Sequence, residues 1–203
     1  MSFWNEPTEE KSYSLLLQLK RKWDFVLIGG WAVFLYTKAS KSKDIDMVVG
    51  YDELSRMMVF LPIKKNDRLR KYEADIKGVS VDVYLSHYSN LIIPPEDLIK
   101  ESRIIEGFRV PRLEMLLALK QQAEMERKGS IKGMKDRVDI LSILLTDLDM
   151  GEYVKLVEPG YLKRLREIVA QARDEFRYLG IMDLRDVRKK REKLLKKVTS
   201  SPP

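Results

Sequence analysis

The stretch that decides the fold runs from Phe25 to Val49: Phe25-Val26-Leu27-Ile28-Gly29-Gly30-Trp31, then, after an intervening segment, Lys43-Asp44-Ile45-Asp46-Met47-Val48-Val49. Trp23 to Ile28 is a short apolar run that ends on a glycine pair, which reads as a buried strand. Trp31 to Lys38 reads as a helix starting from that pair. Asp44 to Val49 reads as a second strand, and a strand has a period of two, so Asp44 and Asp46 point to one face. Two carboxylates side by side repel each other and are costly on a buried strand. A divalent cation between them removes that repulsion, and Mg²⁺ favours oxygen ligands while keeping water and substrate phosphates in its shell.

Working outward, Pro7 to Lys22 reads as a helix and Asp52 to Phe60 as another, stopped by Pro62. Arg68 to Ile76 and Val79 to Ser86 read as strands joined at Lys77-Gly78, a hairpin signal. The second of these carries Val81-Asp82-Val83, an acidic residue between apolar neighbours. If this strand lies beside the first two, Asp82 joins Asp44 and Asp46, and three carboxylates suffice for two cations. The glycines have their own role. Gly29 and Gly30 let backbone approach a phosphate, and a helix opening there aims free N–H groups and its positive dipole end at it.

Arg103 to Val110 reads as one further strand, and Pro111 as the opening of a helix. From there the chain reads as helical throughout. Met134, Val138, Leu141, Leu145 and Leu148 form one apolar stripe; Leu162, Leu165, Val169, Ala172, Phe176 and Leu179 form a second, read as a single helix. A last helix presents Leu184, Val187, Leu194 and Val198 inward. The expected fold is α+β: a small mixed sheet with flanking helices over residues 1–110, then a helical bundle lobe over 111–203 with a basic final helix.

Composition narrows the chemistry. The 203 residues contain no cysteine and one histidine, which excludes disulfides, thiolate metal sites and cysteine nucleophiles. Any metal must be held by carboxylates. No apolar run approaches the ~18–20 residues of a membrane span, and the first residues do not read as a signal peptide, so a cytoplasmic location is expected. The net charge of +7 sits mostly after Gly151, where 14 Lys and Arg face 8 Asp and Glu. Arg188 to Lys197 is its densest part, read equally as the solvated face of a helix or as a grip on a polyanion such as RNA or DNA.

The pattern apolar-Gly-Gly, about a dozen residues, then Asp-apolar-Asp-apolar resembles the DNA polymerase beta-type nucleotidyltransferase superfamily. Within it the chain looks most like the AbiEii-type and minimal nucleotidyltransferases of toxin–antitoxin systems, through Lys43-Asp44-Ile45-Asp46 and through Lys135-Asp136-Arg137-Val138-Asp139 downstream. The resemblance spans residues 25–145. It implies transfer of a nucleoside monophosphate from an NTP, with Asp44, Asp46 and Asp82 catalytic and holding Mg²⁺ or Mn²⁺, and Gly29, Gly30 and Lys120 binding the nucleotide. It allows a tRNA or other RNA end, a protein side chain or a small molecule as acceptor, and a cognate toxin or antitoxin as partner. Arg127 lies on the Lys120 face, and Asp139 reads as a structural partner for these basic residues more than as a reacting group. His87, Tyr36 and Tyr84 read as structural first, as do Trp23 and Trp31. The competing expectations are a silent scaffold that binds nucleic acid or protein, and, with less support, a DNA-binding regulator.

Overall fold

A computed structural model describes residues 6–199, with side chains from Pro7. The chain divides into two compact units, one ending at Arg112 and the other starting at Leu113.

The first unit opens with α1 (Glu6–Lys20) and continues as β1 (Val26–Ile28), α2 (Gly29–Thr37), β2 (Ile45–Val49), α3 (Tyr51–Phe60), β3 (Lys64–Asn66), β4 (Lys71–Ile76), β5 (Val79–Leu85), α4 (Pro95–Lys100), β6 (Arg103–Ile105) and β7 (Phe108–Val110). The strands form one mixed sheet in the order β3-β4-β5-β2-β1-β7-β6. β2 runs parallel to β5, and β1 parallel to β7; the other neighbours are antiparallel. β1 is apolar at every position because all three of its residues are buried. β5 alternates: Val79, Val81, Val83 and Leu85 are buried while Ser80, Asp82 and Tyr84 are not, so one face meets the core and the other presents Asp82. Trp31 anchors α2 in that core, with its indole N–H donating to Ser12 Oγ at 2.9 Å, so that a large apolar surface is buried without an orphaned donor.

Several sequence expectations change here. Asp44 lies one residue before β2 and not within it. The strand expected from Arg68 begins at Lys71, because residues 67–70 form a turn in which Asn66 Oδ1 accepts the Leu69 N–H and Arg70 has positive φ. The single strand expected over 103–110 is a hairpin, β6–β7, whose turn is Glu106-Gly107, both at positive φ. This is the same two-residue solution that Lys77-Gly78 gives between β4 and β5. Pro111 precedes the helix it was expected to open, and its carbonyl accepts the Tyr36 hydroxyl at 2.7 Å. The edge strand β3 and helix α4 carried no legible signal. Trp23 is half-buried against Phe60, not core.

The second unit comprises α5 (Leu113–Glu126), α6 (Ile131–Leu144), α7 (Met150–Val154), α8 (Pro159–Gln171), α9 (Asp174–Tyr178) and α10 (Leu184–Thr199). Ser130 caps α6 through the Gly133 N–H, and Asp149 caps α7 through the Gly151 and Glu152 N–H groups. Val138, Leu141 and Leu148 of the first stripe are buried, but Met134 and Leu145 are exposed. Leu184 of the last stripe is also exposed, while Val187, Leu194 and Val198 are buried. The second stripe is not one helix. The chain breaks at Ala172-Arg173, and Glu175 stabilises the break: its carboxylate accepts the Arg173 N–H at 3.0 Å and pairs with Arg137 Nε at 2.6 Å. The apolar period survives the break because Ala172 and Phe176 are both buried.

No described helix is long and apolar enough to cross a membrane.

Glu175→Ala removes the cap and half of a buried ion pair together. It is expected to destabilise the helical unit by about 2 kcal/mol, read as a lower urea midpoint with an unchanged slope.

Candidate functional site

The parallel ladder of β2 and β5 puts Asp46 opposite Asp82, and the neighbouring ladders extend that pairing into a row. Ile28 of β1 faces Asp46, Asp82 faces Glu73 of β4, and Glu73 faces Lys64 of β3. Partners in a ladder share a face and lie ~5 Å apart. One face of the sheet therefore carries a line of three carboxylates, from Asp46 through Asp82 to Glu73. Asp44 stands just ahead of β2, near enough for its charge to act on Asp82.

The turn from β1 into α2 closes one end of this line. Gly29 has φ +66°, and a Cβ there would sit 2.0 Å from Asp46 Oδ2. Glycine is required twice over: by the backbone conformation, and by the carboxylate lying against it. Ile28 leads into α2 in extended conformation, and no side chain caps the helix opening. The first N–H groups of a nine-residue helix thus emerge beside Asp46.

The other end of the line holds a residue that the sequence reading passed over. Lys71 of β4 reaches diagonally to Asp82, its Nζ 2.6 Å from Oδ2, and also contacts Glu73 Oε1 at 3.1 Å. Its side chain is only 14% exposed, and that of Asp82 is 19% exposed. Burial works against the Lys71 ammonium, but Asp82 and Glu73 outweigh it and hold its pKa above the ordinary lysine value. Burial pushes the Asp82 carboxyl above the usual range. Lys71 pulls it back, yet the charges of Glu73 and Asp44 reinforce the rise. Glu73, bonded by Asn66 and Lys71, is held below the usual range. The alternation of Lys71 and Glu73 with Tyr72 and Ala74 in β4 is the only sequence signal for this lysine, and it needs the β4–β5 register to become informative.

All the acids present are hard oxygen donors, the kind Mg²⁺ and Mn²⁺ take. Among the described residues no three acidic or imidazole side chains are gathered as a ready ligand set. The residues fit a cation held by Asp44 and Asp46 that draws the rest of its shell from water and substrate phosphates, as Mg²⁺ commonly does. They do not form an all-protein cage.

The remaining sequence candidates belong to other elements and turns. Lys120 is buried in the helical unit. Its Nζ is 3.3 Å from Asp136 Oδ1 and 2.7 Å from Asp139 Oδ2, the latter a contact of charges and not an aligned hydrogen bond. Arg127 Nε contacts Asp136 Oδ2 at 2.6 Å, so α5 and α6 are joined by a cluster of two cations and two carboxylates. This is the structural role expected of Asp139. His87 is an exposed turn residue at positive φ, with Nδ1 3.4 Å from Glu96. In the basic run, Lys197 donates to the carbonyls of Leu144 and Thr146 at the end of α6, and burial there lowers its pKa. That part of the run is structural.

With this geometry in hand, the chain can be set beside solved structures. It is similar to the crystal structure of JHP933 from Helicobacter pylori, at 19% identity over 96% of this chain and 94% of that one, with a TM-score of 0.53. It is also similar to a protein from H. pylori assigned as a nucleotidyltransferase, at 17% identity over 97% of this chain and 98% of that one, with a TM-score of 0.54. Identity this low speaks to fold, and the fold is nucleotidyltransferase-like: a seven-stranded mixed sheet with ten helices among the described residues. No family model matches the chain, and no curated protein matches it in sequence.

Two expectations follow. Gly29→Ala forces Asp46 aside and strains the turn, costing about 2–4 kcal/mol of stability by denaturant melt. Lys120→Met leaves buried carboxylates short of a counter-charge and is expected to cost about 3 kcal/mol, seen in the same measurement without any nucleotide present.

Proposed function

We propose that this protein is a Mg²⁺- or Mn²⁺-dependent nucleotidyltransferase. It moves a nucleoside monophosphate from an NTP to a hydroxyl acceptor and releases pyrophosphate. The observation that carries this reading is the Asp46–Asp82 pair on adjacent parallel strands, with Asp46 lying against Gly29 where α2 opens. The nucleotidyltransferase-like fold supports it.

In this reading Asp44 and Asp46 hold the cation, and Asp82 completes the acidic face. A cation held there would supply positive charge to screen the triphosphate and to offset the charge developing on the leaving oxygen. The first N–H groups of α2, opened by Gly29 and Gly30, receive the β- and γ-phosphates. The acceptor oxygen attacks the α-phosphorus, the bond from that phosphorus to the α–β bridging oxygen breaks, and pyrophosphate leaves. Asp82, half-buried and with a raised pKa, is suited to orient the acceptor hydroxyl and take up its proton. Lys120 is the candidate to steady the triphosphate by family resemblance, beside the ion-pair role it has within its own unit.

The acceptor we favour is an RNA 3′ end, since the exposed basic residues of α10 offer a polyanion a grip; a protein side chain, as in toxin–antitoxin pairs of AbiEii-like enzymes, is the alternative. A second reading, a catalytically silent scaffold, draws on the pairing of Asp82 with Lys71 and on the lack of a ready three-ligand set among the described residues.

The experiment is incubation with each of the four α-labelled NTPs, Mg²⁺ and a pool of cellular RNA and protein, resolved by gel. Label is expected in one acceptor class and is expected to fall at least about 10³-fold in Asp44→Ala/Asp46→Ala, with the melting curve of that variant close to that of the parent. Undiminished labelling in the folded variant sinks the assignment; no label with any NTP favours the scaffold.

A further inference from the structure

We infer that Lys71 supplies at Asp82 the positive charge that a second divalent cation would otherwise bring, so that this site takes a single cation, at Asp44 and Asp46. The inference rests on the functional reading above and narrows it.

The geometry behind it is local. Lys71 stands two residues before Glu73, on the same face of β4, and Glu73 faces Asp82. It spans the diagonal to reach Asp82 Oδ2 at 2.6 Å while keeping Glu73 Oε1 at 3.1 Å. An exposed lysine on a strand face has no need of such a reach; surface ion pairs are weakly held, and long side chains pay entropy to keep one geometry. Here both partners are mostly buried, where an unpaired carboxylate is costly and a matched ammonium is retained. The carboxylate line would be strongly anionic without it: Asp44 and Glu73 both bear unfavourably on Asp82.

A divalent cation binding at Asp82 would have to share Oδ2 with this ammonium or drive it out of a half-buried position. A cation at Asp44 and Asp46 meets no such obstacle from Lys71, whose described ion pairs are to Asp82 and Glu73. Lysine also differs from a metal in a useful way. Its charge is fixed to the chain, so Asp82 stays compensated whether or not nucleotide has arrived, and the acidic face is held together before the substrate brings its own charge.

The test is a titration of Mn²⁺ alone into the nucleotide-free protein, with bound ion counted by loss of the free Mn²⁺ paramagnetic resonance signal. The parent is expected to bind about one ion, and Lys71→Met about two, the added site being weaker. Lys71→Arg keeps the charge and stays at about one. Lys71→Met/Asp82→Asn removes both the ammonium and the carboxylate it guards, and also returns to about one. That double variant, together with Asp82→Asn alone, covers the case in which Lys71→Met fails to fold: if the ammonium already excludes the cation from Asp82, Asp82→Asn leaves the parent's count unchanged. Two ions in the parent, or one ion in a well-folded Lys71→Met, overturns the inference while leaving the nucleotidyltransferase reading intact. No Mn²⁺ bound to the parent overturns the metal assignment of that reading, and the inference with it. The two failures are thus distinguishable without any activity measurement.

Discussion

The parallel pairing of β2 with β5 is the constraint on which the rest of the first unit depends. Its register, from Ile45 opposite Val81 to Val49 opposite Leu85, buries the Val, Ile and Met side chains of both strands in the centre of the sheet. A slip of one residue would turn Val81 and Val83 toward the acidic face and Asp82 toward the core. The burial that fixes the register therefore also fixes where the acids stand. The hydrophobic cost of a slip, on the order of 2 kcal/mol for each valine exposed, is what guarantees that Asp46 and Asp82 meet.

That meeting is unfavourable in itself. Carboxylates placed side by side on a half-buried surface raise one another's free energy. The structure answers at both ends of the line. At one end Gly29 withdraws every side-chain atom, so Asp46 lies against bare backbone at the open start of α2, where partial positive charge accumulates. At the other end Lys71 bridges Asp82 and Glu73. The acidic face is thus a compensated surface, with its compensation placed at its edges.

Much of this was legible before the structure, for identifiable reasons. The strand–Gly-Gly–helix–Asp-x-Asp order around β1, α2 and β2 could be read because each part has a local cause: an apolar run, a required glycine, an alternation. The position of Asp82 followed from the alternating valines of β5. What could not be read was anything that depends on register between strands distant in sequence. Glu73 and Lys71 are unremarkable residues of a polar strand until β4 is aligned against β5. The break at Ala172-Arg173 is invisible for a related reason, since the apolar period runs through it undisturbed and Arg137, the ion-pair partner that holds Glu175 at the break, comes from another helix. The spacing places Arg127 two turns after Lys120, but in the structure Arg127 lies in the turn just past α5, and the burial of Lys120 against two carboxylates of α6 is a tertiary fact.

The Lys197 contact has a bearing on how the helical unit is made. Its ammonium closes the carbonyl end of α6 across a separation of 53 residues to Leu144 and 51 to Thr146. Contacts so distant along the chain form late, because the intervening loop must be closed before they return any free energy. During synthesis, which delivers the chain from its N-terminal side, α5 and α6 emerge and can pair through Lys120, Arg127, Asp136 and Asp139 well before α10 exists. The carbonyl end of α6 gains its lysine partner only with the last turn of α10. The charged seam of the helical unit is local in the chain, whereas its closure by Lys197 is not.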